Sequence, residues 1–141
     1  MTISVRYGRL EAYRAPIPGQ PAGPYVPVRL YNGGLSRDTL GLVDSGADVT
    51  LFNVGFAALL NVDLTGVPDE RVGGVGGATL VKFVPLQLAV GGSRFSDRVG
   101  FTTGIGVQFG LLGRTGFFRA CAVGFDERQA RLLYHFLPPE P

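Results

Sequence analysis

The sequence predicts a single all-β domain with at most two short helices. Three observations lead there. Of 141 residues, 22 are Gly and 10 are Pro, with no low-complexity repeat, so tight turns are frequent. The apolar runs are short and rich in Val, Leu and Phe, which suit a pleated, half-buried surface. A hydrophobic fraction of 45% against 17% charged supplies one proper core, and the length is short for two domains.

The elements follow in order. Residues 1–24 hold a strand candidate (2–14) and a Pro/Gly-rich linker, "APIPGQPAGP" (15–24). The main body is 25–137, and 138–141 form a tail. "YVPVRLY" (25–31) alternates and reads as a strand; "NGG" (32–34) turns it into a hairpin with "RDTLGLV" (37–43). "VTLF" (49–52) is a short strand, and "NVGFAALLNV" (53–62) is the best helix candidate, capped by Asn53. Residues 71–92 read as two strands around glycines. Within them Leu80, Lys82, Val84, Leu86 and Leu88 fall on one side, and Val81, Phe83 and Val90 on the other. Pro85 predicts an edge or a bulge. "SRFSDRVGFTT" and "IGVQFGLLG" continue the β pattern, with "GIGVQFG" (104–110) as strand-turn-strand. "RTGFFRAC" (114–121) suits a short helix; "CAVGFD" and "ARLLYHF" close the chain as strands, making about nine.

Several function classes are excluded or disfavoured. The net charge is +2, and the basic residues are scattered, so no nucleic-acid footprint is expected. One cysteine, Cys121, allows no internal disulfide and fits a reducing compartment. The N-terminus lacks the apolar core of a secretory signal and no run approaches a membrane span, so the expectation is a cytoplasmic chain without membrane contact. No phosphate-binding glycine motif opens a helix. Cys121 and His135 are each alone of their kind, so a nucleophilic pair lacks a third group and a zinc site lacks ligands. The other acids, Asp97 among them, read as surface.

Three features carry chemistry. The first is Asp44-Ser45-Gly46-Ala47-Asp48, between apolar Leu42-Val43 and "VTLF". An ionisable group between strand-like flanks is costly if buried without a partner. Its plain reading is a turn Asp capping its own loop. The second is "VGGVGGA" (72–78), a glycine-flanked turn whose plain reading is a flexible hairpin. The third is "GLLGRTGFF" (110–118), an apolar pair followed by Gly-Arg and a possible helix.

In this order and at these separations, the three resemble the retroviral-type aspartic proteases, the retropepsins. The resemblance covers residues 25–136, and the tail "GFFRACAVGFD" is more similar to cellular and bacterial members than to viral ones. It implies a closed β barrel with one or two short helices. It implies that Asp44, Ser45 and Gly46 are the catalytic triplet, with Ser45 hydrogen-bonding across a two-fold axis. The glycine hairpin would be a flap, with Gly73, Gly74, Val75, Gly76 and Gly77 closing over substrate; Ala78 stands where an aromatic would pack it. Leu42, Leu51, Leu111 and Phe109 would line apolar subsites, and Ala47 and Asp48 would meet the peptide. Asp48 and Arg114 would form a partly buried structural ion pair. The activity implied is peptide hydrolysis between apolar residues, without metal or cofactor.

That chemistry needs two carboxyls, one to take a proton from water and one to protonate the amide. At about 3 Å and an effective dielectric of about 20 their repulsion is roughly 5 kcal/mol, so the pair keeps one proton. The chain has one D-S-G, so the second carboxylate is expected from a second copy, as a homodimer. Segments "ISVRY" and "RLLYHF" are candidates for a dimer sheet. The rival reading is a catalytically silent module of the same fold that binds peptides or dimerises. A third is an enzyme kept monomeric and latent until processed.

Overall fold

A computed structural model describes residues 1–140; Pro141, the last residue of the expected tail, lies outside the described residues. The strands are β1 (Arg9–Ala12), β2 (Tyr25–Asn32), β3 (Leu35–Val43), β4 (Thr50–Asn53), β5 (Asp69–Gly74), β6 (Gly77–Val90), β7 (Ser93–Thr102), β8 (Gly110–Leu112), β9 (Cys121–Asp126) and β10 (Arg131–Phe136). The helices are α1 (Val54–Leu59) and α2 (Phe117–Ala120). Ten strands among the described residues thus replace the roughly nine expected. The all-β class and the two short helices are as the sequence predicts.

Strands β2, β3, β8, β4, β7 and β6 pair in that order, and β2 pairs with β6 to close a six-stranded barrel. Hairpin β5–β6 projects from it. A separate antiparallel sheet runs β1-β10-β9. The larger apolar cluster fills the barrel and continues beneath this sheet through Phe52, Phe101, Phe117, Leu132 and Tyr134. A smaller cluster of Leu51, Val81 and Phe83, flanked by Val49, Val72 and Leu111, lies under the hairpin.

Strand β6 joins the two clusters. Val81 and Phe83 are buried in its first half, Leu86, Leu88 and Val90 in its second. The buried face therefore changes parity at Pro85. Val90 belongs with Leu86 and Leu88, not with Val81 and Phe83 as the sequence reading had it. Residues 77–82 pair with β5 and residues 87–89 with β2, while 82–90 all pair with β7. Pro85 sits in the gap between those two partners, where β6 is locally an edge, so the missing N–H is tolerated. The register with β7 runs through it without a bulge.

Other boundaries shift. Of the 2–14 strand candidate Arg9–Ala12 forms a strand and Arg14 an isolated bridge to Gly23, while residues 2–8 have no regular structure. Helix α1 starts after Asn53 as expected, the Asn53 side chain accepting from the Gly55 N–H, but it ends at Leu59. Segment 104–109 is a loop rather than strand-turn-strand. Side chains hold its backbone instead: Asn53 Nδ2 donates to the Ile105 carbonyl at 2.6 Å, and the Gly104 N–H to Thr102 Oγ1 at 3.0 Å. Strand β10 is central in its sheet, flanked by β1 and β9, so "RLLYHF" offers no free edge for a partner. No helix among the described residues is long and apolar enough to cross a membrane.

Candidate active site

Asp44 comes immediately after β3, where that strand runs out beside its parallel partner β8. The Asp44 N–H donates to the Leu112 carbonyl at 3.1 Å, and the Ala47 N–H to the Asp44 carbonyl at 3.2 Å. The Gly46 N–H donates to Asp44 Oδ1 at 2.9 Å. Asp44 therefore does cap its own turn. The same carboxylate also lines a cleft, and no cation pairs with it among the described residues.

A second loop, following β8, packs against the first. The Arg114 N–H donates to the Ala47 carbonyl at 2.9 Å. Gly113 is required at this crossing, since a Cβ there would lie 2.2 Å from the Val49 carbonyl oxygen. Its N–H donates to Thr50 Oγ1 at 3.2 Å.

The cleft has a volume of about 860 Å³ and runs between the Asp44 loop and hairpin β5–β6. Asp44, Gly46, Ala47, Asp48, Leu51 and Leu111 line its floor and near wall. Gly73, Gly74, Val75, Gly76, Gly77 and Ala78 line the far wall. The hairpin tip stands free: Val75 is fully exposed, and Cβ atoms at Gly73, Gly74, Gly76 and Gly77 would meet nothing within 4 Å. Gly76 and Gly77 take φ of 94° and 122°, which the tight turn needs and L side chains rarely adopt. At the hairpin base Glu70 pairs with Arg98, whose guanidinium lies 4.1 Å from the Phe83 ring centroid.

Placement differs from expectation for Leu42, Phe109 and the Asp48–Arg114 pair. Leu42 and Phe109 do not line the cleft; Phe109 packs edge-on against Tyr25, and Leu42 sits in β3 opposite Tyr25 and Leu111. Ser45 is exposed and lines a neighbouring surface depression with Asp48, Arg114 and Phe118. Asp48 and Arg114 do pair, but through one 3.5 Å contact with both side chains exposed, 87% and 65%, rather than as a partly buried fork. Such a pair contributes little in water.

Two further groups are resolved by burial. Cys121 is buried, and that burial pushes its thiol up to about 12, so it stays protonated. Its residue faces the core while exposed His135 pairs in register with Ala122, one step away on the opposite face, so the two form no nucleophilic pair. Among the described residues no three His, Cys, Asp or Glu side chains gather as a metal site.

Asp97 is the residue that sequence reasoning misplaced. It is 5% exposed, not a surface acid. Thr50 Oγ1 donates to its Oδ2 and Thr115 Oγ1 to its Oδ1, the latter at 2.8 Å. Burial raises its carboxyl above the usual value, against hydrogen bonds from Thr50, Thr115 and the Arg98 N–H that lower it. A signal existed: Phe95, Asp97 and Val99 alternate along β7, which puts the acid on the buried face.

No protein-family model matches the chain, and no curated protein matches it.

Proposed function

We propose that the chain is a retropepsin-like aspartic endopeptidase that acts as a homodimer on peptides with apolar residues at the scissile bond. The observation that carries this reading is the placement of Asp44. It lies on the floor of a peptide-sized cleft, beneath a free-standing glycine hairpin and beside an apolar cluster. A carboxylate serving only as a turn cap needs neither the cleft nor the hairpin.

In this mechanism the ionised Asp44 of one subunit takes a proton from water, which attacks the peptide carbonyl. The protonated Asp44 of the other subunit polarises that carbonyl and then protonates the leaving nitrogen. Leu51, Leu111, Val72 and Phe83 offer the apolar surface against which substrate side chains lose water. Hairpin closure then excludes bulk water from the site.

The test is hydrolysis of a mixed peptide library from about pH 3 to 8, with Asp44→Asn as control. The expected result is cleavage flanked by apolar residues, reduced by roughly 10²–10⁴-fold in the variant. Cleavage unaffected by the substitution removes Asp44 from the chemistry. Peptide binding without turnover in the wild type selects the silent-module reading.

A further inference from the structure

We propose that Asp97 is the positioning residue of this site, its buried carboxylate tying the Asp44–Thr50 loop to the Gly113–Gly116 loop. The inference rests on the protease reading for its effect on turnover, and on geometry alone for its effect on loop order.

The tie has two arms. One runs from Asp97 Oδ2 through the Thr50 hydroxyl, which itself accepts the Gly113 N–H. The other runs from Oδ1 to the Thr115 hydroxyl. Thr50 ends the loop that begins at Asp44, and Thr115 follows the Gly113–Arg114 segment that grips Ala47. The loop that lines the cleft and the loop packed against it are thus both fastened to one point on β7.

The backbone has been fitted to this carboxylate. A Cβ at Gly116 would lie 2.1 Å from Asp97 Oδ2, so only glycine permits the contact. Among the described residues no cation shares the work: the guanidinium of Arg98 engages Glu70, and that of Arg114 engages Asp48. Asp97 acts as an acceptor of two hydroxyls and the Arg98 N–H, not as half of an ion pair. A carboxylate buried without a counter-charge is costly to keep, and hydrocarbon would fill the same space more cheaply. Two loops held in register is what that cost secures. A catalytic group displaced by even 1 Å loses on the order of 10²-fold in rate.

Residue-resolved amide exchange and peptide hydrolysis, on wild type, Asp97→Ala, Asp97→Asn and Thr115→Val, test this. In Asp97→Ala the Gly113 and Arg114 amides should lose at least about tenfold in protection while β2 and β6 keep theirs. Turnover should fall by about tenfold or more, with KM within about threefold. Asp97→Asn should recover both, because its side-chain oxygen still accepts and either threonine hydroxyl can turn to accept its amide. Thr115→Val, which cuts one arm, should loosen the same amides less, and it decides the matter if Asp97→Ala does not fold. Uniform loss of protection across the chain overturns the proposal, as does unchanged protection at Gly113 or failure of the Asn variant to recover. If the wild type cleaves nothing, the protease reading fails while the exchange results still judge the tie.

Discussion

At the scale of single residues, the site depends on close backbone approach and one buried charge. Gly113→Ala would drive a methyl into the Val49 carbonyl, which is backbone and cannot swing away. The expected loss is roughly 3 kcal/mol, readable by urea denaturation, and a loss under about 0.5 kcal/mol shows that the loops are not packed as described. Asp97 gives a pH signature with a definite sign. Its carboxyl is raised in the folded chain, chiefly by burial. The folded state therefore holds the proton more tightly than the unfolded state between the ordinary carboxyl value, about 4, and the raised one. The associated stability is full below that interval and is lost as pH rises through it. Wild type should thus lose Tm relative to Asp97→Asn across the interval, with a constant gap above it. A gap independent of pH from about 3 to 7 rejects the burial cost. The Asp44 turn was legible in the sequence because its neighbours are local. Asp97 was not, because the donors that make its burial tolerable, Thr50 and Thr115, are distant in the chain and only the fold brings them together.

At the scale of elements, patterns that live within one strand were read correctly and those set by partners were not. The β2–β3 hairpin, the Asn53 cap and the glycine turn are local and stand as predicted. The loop at 104–109 alternates like a strand, yet no neighbour offers it a ladder. The parity change in β6 needs two separate apolar clusters, which no periodicity displays. The hairpin tip yields its own prediction. An L residue at Gly77, with φ of 122°, is strained although it meets nothing. Gly77→Ala should cost about 1–2 kcal/mol within the hairpin and leave the barrel intact. Under the proposed mechanism kcat/KM falls while global Tm stays nearly constant. A Tm loss as large as that of Gly113→Ala would show that the tip is packed against the body.

At the scale of the whole molecule, barrel closure was implied by the family resemblance, since the β2–β6 pairing joins segments with no shared sequence signal. The same resemblance supplies the argument for two chains, and the structure adds surface that a partner could cover. Ile3, Val5 and Leu10 are exposed, and β1 and β9 present unpaired edges. One carboxylate per chain cannot share a proton with itself, so the proposed chemistry requires two chains per site. This predicts how inactive subunits poison active ones. Mixing wild type with an equal amount of Asp44→Asn, after subunit exchange, leaves about a quarter of dimers with two aspartates and about half with one. If one ionisable member is not enough, activity per total wild-type chain falls to about half, and further with excess variant. A site complete within one chain would keep full activity per wild-type chain at every ratio. Dilution gives the independent arm: specific activity should fall below the dimer dissociation constant, and the concentration at half activity should match that from sedimentation. Activity that ignores both dilution and the variant would place the second acid, and hence the whole site, inside a single chain.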